Sequence, residues 1–157
     1  RAEGCTVQAM NYAAQRGHLA VVEWLDAYRS EGCTSDAMDG AARNGYLFLV
    51  EWLHANGKDI TTQAMDDAAM NGHLSLVEWL HASRSEGCTV RAMNYAAKQG
   101  HLSVVEWLHA NRFEGCTTLA MDLAAEEGHL SILEWLHANR SEGCTFMAMR
   151  RAEWEGH

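Results

Sequence analysis

Two rows of histidines are the residues in this chain best suited to acid–base or metal chemistry. The first row follows a repeated glycine and the second comes eight residues further on, and the members are His18, His73, His101, His129 and His157, then His54, His81, His109 and His137. A metal site needs ligands that converge at about 2 Å on one ion, whereas members of one row belong to successive repeats and should stand about 8–10 Å apart. We therefore expect the first row to hydrogen-bond between loops and the second to lie on the outer face, with no metal and no cofactor.

Five cysteines are a second candidate for chemistry, and each stands just before a repeated threonine: Cys5, Cys33, Cys88, Cys116 and Cys144. The third repeat carries Ile60 at that place, and isoleucine can neither ligate a metal nor form a disulfide bond. The odd count also fits poorly with a disulfide framework. We expect reduced thiols packed as small apolar groups, which is compatible with a cytoplasmic location.

Carboxylates repeat too regularly to indicate catalysis. One glutamate recurs in every complete repeat, as Glu23, Glu51, Glu78, Glu106 and Glu134, whereas a catalytic acid is needed once, in a unique cleft. The chain has no glycine-rich phosphate loop and no nucleophile elbow. The sequence therefore predicts a protein that is not an enzyme.

Composition excludes two further classes of partner. The net charge is −9, whereas nucleic-acid binders carry a concentrated basic face. There is no run of 18 apolar residues that could span a membrane, and neither end resembles a signal peptide. We expect neither nucleic acid nor membrane as a partner.

A repeated phrase, Thr-x-x-Ala-Met-x-x-Ala-Ala, organises the whole chain. Its methionines, from Met10 to Met149, are spaced by 28, 27, 28, 28 and 28 residues. A period of this length is typical of a solenoid, in which each unit is stable only when stacked on its neighbours. We expect one domain, 1–157, with repeats at about 3–30, 31–58, 59–85, 86–113 and 114–141 and a half repeat at 142–157.

Each complete repeat has the signals for two helices, and the half repeat has those for helix A alone. Thr6 can cap a first helix, helix A, over about residues 7–16, with Gly17 as its stop. A second helix, helix B, is predicted over about 19–28 from its apolar spacing. A row of tryptophans on helix B is predicted to be core: Trp24, Trp52, Trp79, Trp107 and Trp135. The fold class is therefore all-α, with about five and a half helix-turn-helix repeats.

The stretch Ala96–Leu108, Ala-Ala-Lys-Gln-Gly-His-Leu-Ser-Val-Val-Glu-Trp-Leu, resembles the heart of an ankyrin repeat. That family has two small alanines, a Gly-His turn and a Val-Val-x-x-Leu-Leu second helix at the corresponding places, and the resemblance covers essentially the whole chain. The family's Thr-Pro-Leu-His turn is missing, and the unit is about five residues shorter than the usual 33. The resemblance implies an ankyrin-like solenoid without the β-hairpin fingers, so binding by those fingers does not carry over.

The positions of helix A that vary between repeats are the candidate binding site. They lie at offsets 0, 3, 4 and 7, opposite the alanines, and form one stripe when the repeats stack; the resemblance implies that this is the concave face. The stripe consists of Gln8, Asn11, Tyr12, Gln15, Asp36, Asp39, Arg43, Gln63, Asp66, Asp67, Met70, Arg91, Asn94, Tyr95, Lys98, Leu119, Asp122, Leu123, Glu126, Met147, Arg150, Arg151 and Trp154, together with Gly40.

The stripe predicts a protein partner. Its apolar members concentrate in repeats four to six, and an exposed apolar cluster marks an interface. Asp36, Asp39, Asp66 and Asp67 are predicted to form an acidic end, so we expect a partner with an apolar patch flanked by basic residues. We expect a monomer, with end-to-end stacking left open. The alternative function is a structural scaffold, duplicated or engineered for its frame, that has no dedicated partner.

Overall fold

The computed structural model describes residues 6–83 and 86–146, and within these ranges the chain forms ten α-helices and no strand. The helices are α1 (Val7–Gln15), α2 (Leu19–Tyr28), α3 (Ser35–Arg43), α4 (Leu47–Ala55), α5 (Thr62–Met70), α6 (Leu74–Ser83), α7 (Val90–Lys98), α8 (Leu102–Asn111), α9 (Thr118–Glu126) and α10 (Leu130–Asn139). This confirms the predicted all-α solenoid. None of these helices is long and apolar enough to cross a membrane, in the part of the chain that the structure describes.

The odd-numbered helices are helix A of each repeat, and most of them begin at a capping threonine. The hydroxyls of Thr34, Thr61, Thr89 and Thr117 accept a hydrogen bond from the backbone N–H two residues later, at 3.1–3.3 Å. This bond satisfies a donor that the first helical turn leaves unpaired. The predicted side-chain cap at Thr6 is not formed in α1.

Glycine ends each helix A, as the sequence predicted. At the end of α3 the N–H of Tyr46 donates to the carbonyl of Ala41 and the N–H of Gly45 donates to that of Ala42, both at 3.1 Å. This pair of hydrogen bonds needs a left-handed residue, and Gly45 has φ +73°. The chain can therefore reverse into helix B within three residues.

Small side chains let the helix A units approach one another closely. Each odd-numbered helix packs on the next, and it also packs on helix B of its own repeat, whereas successive helix B units approach one another less closely. The alanine pairs of helix A, such as Ala41 and Ala42, are completely buried at these contacts. The array therefore curves toward helix A, which places helix A on the inner side and helix B on the outer side.

The tryptophan row lies at the edge of the core and not within it. Trp52, Trp79, Trp107 and Trp135 are half-buried against the core, and Trp24 is 52% exposed. The second histidine row covers this edge. The rings of His54, His81 and His109 stand edge-on to the tryptophan of the following repeat, with centroids 5.1–5.3 Å apart.

The described cysteines form no disulfide bonds, and burial decides how reactive their thiols are. Cys88 and Cys116 are buried, Cys33 is half-buried and Cys144 is exposed, while Cys5 lies outside the described residues. Burial raises the pKa of the Cys88 thiol to about 11. This thiol is therefore a packing group and a poor nucleophile at neutral pH.

Candidate functional site

The predicted stripe of helix A divides into three classes of residue by exposure. The exposed members are Gln8, Tyr12, Gln15, Asp36, Gln63, Arg91 and Leu119. The half-buried members are Arg43, Met70, Tyr95, Lys98 and Glu126. The buried members are Asn11, Asp39, Asp66, Asp67, Asn94, Asp122 and Leu123, together with Gly40. Met147, Arg150, Arg151 and Trp154 lie outside the described residues.

The placement of offset 3 on the displayed surface was wrong. The residues at this offset, which we name the Asx row, are Asn11, Asp39, Asp66, Asn94 and Asp122, and each is 3–6% exposed. Each bonds the capping threonine of the next repeat. The backbone N–H of Thr89 donates to Oδ1 of Asp66 at 2.8 Å, and its hydroxyl donates to Oδ2 at 2.7 Å.

Asparagine and aspartate make equivalent bonds in the Asx row. Nδ2 of Asn94 donates to the Thr117 hydroxyl at 3.0 Å, and the Thr117 N–H donates to Oδ1 of Asn94 at 3.0 Å. Burial raises the pKa of Asp39, since the hydrogen bonds from Thr61 do not offset its desolvation and the nearby carboxylates add to it. The row therefore serves to lock successive repeats together, and its acceptor oxygen matters more than its charge.

The predicted acidic end is also not formed. Asp39 and Asp66 belong to the Asx row, and Asp67 is buried beneath Arg43, whose Nε and Nη2 donate to Oδ2 of Asp67 at 3.0 and 2.7 Å. Nε2 of Gln63 donates to the same oxygen at 3.2 Å. A buried carboxylate needs such a partner because its desolvation is otherwise costly. Of the four aspartates, Asp36 alone remains exposed.

Leu123 was predicted to be part of the displayed surface, but it is 7% exposed and belongs to the core. We expect Leu123→Ala to lower the free energy of unfolding by about 2 kcal/mol, the lower end for a buried leucine, because a cavity replaces the side chain. Leu119→Ala on the same helix is the matched control, because Leu119 is 37% exposed. Its expected loss is below about 0.5 kcal/mol. Urea denaturation followed by circular dichroism measures both; equal losses would contradict the assignment.

A surface groove of about 230 Å³ lies across α1, α3 and α5, on the inner side of the array. Its lining residues all occupy stripe positions: Gln8, Asn11, Tyr12, Gln15, Asp36, Asp39, Gly40, Arg43 and Gln63. Gly40 in this lining stands where the other complete repeats carry tyrosine, aspartate or leucine. A Cβ atom at Gly40 would lie 3.2 Å from Cβ of Gln15, so the glycine also lets these two helices approach. The sequence showed Gly40 as a variable position without indicating a groove.

The groove has an amide and aromatic lining with one exposed carboxylate, that of Asp36. Tyr12 is 60% exposed, and the side chains of Gln8, Gln15 and Gln63 are exposed beside it. Arg43 is committed to Asp67. Such a surface offers hydrogen-bond donors and acceptors, one aromatic ring and, at Asp36, a carboxylate that favours a basic group.

The other end of the stripe is more apolar. Leu119 is 37% exposed, and Tyr95 is half-buried with the guanidinium of Arg91 over its ring at 5.6 Å from the centroid. Met70 is half-buried between these two ends. Aromatic and arginine side chains of this kind dominate the energy of many protein interfaces.

Three members of the first histidine row have the structural role that the sequence predicted, whereas His18 is exposed and His157 lies outside the described residues. The rings of His73, His101 and His129 pack on the helix-ending glycine of the preceding repeat. Nε2 of His73 also donates to the carbonyl of Arg43 at 3.1 Å. Tyr46 takes the same position on Gly17 in the second repeat.

Burial lowers the pKa of His101, and the neighbouring His73 and His129 lower it further, against a hydrogen bond to the Met70 carbonyl. The unfolded chain therefore binds this proton more readily than the folded chain. We expect the contribution of His101 to stability to be complete above about pH 6.5 and to be lost as the pH falls through the lowered pKa. The urea concentration at the unfolding midpoint should decrease between about pH 7.5 and 5.5. His101→Tyr, which introduces the residue type that Tyr46 has at the equivalent position, should make this decrease smaller. An unchanged difference would show that this histidine does not contribute.

Two members of the second histidine row, His81 and His109, join ion pairs in the loops between repeats. Nη1 of Arg112 lies 3.2 Å from Nδ1 of His81, and Arg112 also pairs with Glu114. The first repeat has aspartate in place of this histidine, and Asp26 pairs with Lys58 at 2.5 Å. No three His, Cys, Asp or Glu side chains lie close enough to hold a metal ion anywhere in 6–83 or 86–146. These contacts cover the tryptophan row and stabilise the loops.

Comparison with known families supports the repeat assignment. Residues 38–81, 65–109 and 93–137 each match the sequence model of a family described as ankyrin repeats (many copies). The three overlapping windows together cover more than half of the chain. No curated protein matches the chain at a significant level.

Proposed function

Because this chain belongs to the ankyrin-repeat family, we propose that it is an interaction module that binds a protein on the accessible part of the helix A stripe. Ankyrin repeats generally serve as protein–protein interaction modules. The observation that carries the proposal is the groove, because every residue that lines it occupies a stripe position. The alanine, glycine and apolar positions of the repeat stay the same through the chain, while the side chains at the stripe positions differ from repeat to repeat.

The lining of the face suggests the chemistry of the partner. At the groove, the partner would present a segment able to exchange hydrogen bonds with glutamine side chains and to pack on Tyr12, with a basic group near Asp36. Near Leu119 and Tyr95 it would present an apolar side chain. The sequence suggested several basic residues flanking the patch, but only Asp36 of the four aspartates is accessible to such a residue, because Asp39, Asp66 and Asp67 are committed to contacts within the chain.

Photocrosslinking tests this proposal while the partner is still unidentified. A photoreactive phenylalanine analogue replaces Tyr12 or Leu119 on the stripe, and Phe48 or Phe113 away from the stripe as controls, since all four are exposed. After irradiation in an extract of the source cells, we expect the two stripe positions to yield adducts with the same protein and the controls to yield none. Identical adducts at all four positions, or none at the stripe, would favour a structural role without a dedicated partner.

Once the crosslinked protein is purified, titration against alanine variants gives a second measurement. Tyr12→Ala should weaken binding about tenfold or more, the range of an aromatic anchor in an interface. Phe48→Ala on α4 is the matched control on the outer side. Tyr12 and Phe48 are both more than half exposed, so neither substitution should change the free energy of unfolding by more than about 0.5 kcal/mol.

A further inference from the structure

The stripe holds two tyrosines at the same place in the repeat, Tyr12 and Tyr95. On α7 the guanidinium of Arg91 lies over the ring of Tyr95, at 5.6 Å from the centroid. Arg91 stands one helical turn earlier, at offset 0 of the stripe. A guanidinium over an aromatic face is a favourable cation–π contact, and arginine makes it more often than lysine. The tyrosine position on this face is therefore suited to an arginine.

The other tyrosine, Tyr12 on α1, lacks such an arginine. The residue one turn earlier is Gln8, and within 6–83 and 86–146 no cation of the chain lies over the Tyr12 ring. This ring lines the groove of about 230 Å³ on the inner side of the array. The next repeat has Gly40 at the tyrosine position, so no side chain from that position covers the ring. The ring is therefore open to a group that enters the groove.

The groove also carries an excess of negative charge. Asp36 is exposed one turn before Gly40 and has no ion pair in the part of the chain that the structure describes. Burial raises the pKa of Asp39, and the carboxylates of Asp36 and Asp67 raise it further, so the three carboxylates lie close enough to repel one another. Among the described lining residues the cation is Arg43, which is already paired with Asp67. A further positive charge in the groove would therefore be favourable.

The hydrogen-bonding groups around the Tyr12 ring favour arginine over lysine. The exposed amides of Gln8, Gln15 and Gln63 line the groove together with the carboxylate of Asp36. A guanidinium has five N–H donors in one plane, so it can stack on a ring and still donate to several oxygens at its edge. An ammonium is a compact, strongly hydrated charge that cannot stack in this way. Acceptors around an aromatic face match the guanidinium.

We propose that the groove binds an arginine side chain of the partner protein, with the guanidinium stacked on Tyr12 and donating to the carboxylate of Asp36. The partner's arginine then makes with Tyr12 the contact that Arg91 makes with Tyr95. This inference rests on the proposed function, because the arginine belongs to the protein that binds the stripe, and it adds which side chain the groove selects. Since Tyr95 already has its arginine, the selectivity belongs to the α1 end of the stripe.

Two amino-acid derivatives of nearly the same shape test the charge directly on the full chain. They are N-acetyl-arginine N-methylamide and the corresponding citrulline derivative, which carries no charge. Nuclear magnetic resonance titration of the isotope-labelled chain follows the backbone amides of α1 and α3. We expect the arginine derivative to shift the amides of Tyr12 and Gly40 with a Kd in the millimolar range. The citrulline and lysine derivatives should bind at least about fivefold more weakly.

Two variants locate the site, and a third controls for net charge. Asp36→Asn removes the carboxylate and keeps the size of the side chain. Gln8→Arg gives Tyr12 an arginine of its own, as Arg91 is placed in α7, and so competes with the added derivative. Each should weaken binding of the arginine derivative at least about fivefold. Glu106→Gln on α8 makes the same change in net charge at an exposed position outside the groove, and it should leave the affinity unchanged.

Equal affinities for the arginine and citrulline derivatives would overturn this inference, and so would arginine binding that both Asp36→Asn and Gln8→Arg leave unchanged. Photocrosslinking at position 12 separates its failure from that of the proposed function. A crosslinked segment that lacks arginine would leave the interaction module standing and refute arginine selection. In a segment with an arginine, its replacement by lysine should weaken binding about tenfold or more, and an unchanged affinity would equally refute it. If no protein crosslinks, the proposed function fails and this inference fails with it.

Discussion

Asp66→Ala is expected to lower the free energy of unfolding by about 3 kcal/mol, although the residue lies at a variable position of a surface helix. Asp66 is 6% exposed and accepts from both the backbone N–H and the hydroxyl of Thr89, at 2.8 and 2.7 Å. Truncation leaves a backbone donor without its acceptor and loosens the threonine that caps α7. The hydrogen bonds that are lost join two repeats, and the stability of a solenoid depends on such interfaces between neighbouring repeats.

Two substitutions separate this effect from a general loss of charge. Asp66→Asn should cost less than about 1 kcal/mol, because Asn11 and Asn94 hold the same position and donate to the next threonine hydroxyl at 2.8 and 3.0 Å. Asp36→Ala removes an exposed aspartate from the neighbouring helix A and should cost less than about 0.5 kcal/mol. Urea midpoints measured by circular dichroism rank the three variants. If Asp66→Ala were no worse than Asp36→Ala, the Asx row would not link the repeats.

Gly45→Ala is expected to cost about 3 kcal/mol, for two reasons that act together. Gly45 has φ +73°, where any Cβ atom is strained. The added Cβ would also lie 2.6 Å from Nδ1 of His73. The histidine ring cannot withdraw without losing its hydrogen bond to the Arg43 carbonyl at 3.1 Å.

The chain contains a control for the backbone part of this effect. Gly57 has φ +66°, and nothing lies within 4 Å of a Cβ atom built on it. Gly57→Ala should therefore cost only the left-handed strain of about 1–2 kcal/mol. A double-mutant cycle of Gly45→Ala with His73→Ala measures the ring contact, and we expect a coupling of at least about 1 kcal/mol. Equal losses at the two glycines, with no coupling, would show that the ring contact contributes nothing.

The helices could be predicted closely because their signals are local. The predicted ranges 7–16 and 19–28 compare with Val7–Gln15 and Leu19–Tyr28 in the structure. A threonine before the helix, a row of apolar residues and a glycine after the helix act within one or two turns of the chain, and they recur in every complete repeat. Repetition itself indicated that units stack, since one helix pair cannot bury its apolar side alone.

The candidate site was predicted only in part. Periodicity correctly placed Tyr12, Gln63 and Leu119 on an exposed face, but it placed the Asx row beside them. A signal for the Asx row was present, because five successive repeats carry only asparagine or aspartate at that position. Its meaning was hidden because the partner, a threonine 22 or 23 residues later, belongs to another repeat.

The sequence by itself determined the helices, their order and the requirement that they stack, because these depend on interactions between near neighbours in the chain. Only the tertiary structure decided which polar residues face solvent and which lock two repeats together. Asp36 and Asp66 are the same residue type on equivalent helices, yet one is exposed and the other lies beneath the next threonine. A polar side chain is buried when the neighbouring repeat lies close to it. How close the neighbouring repeat lies depends on how tightly the alanines of the two helix A units pack together.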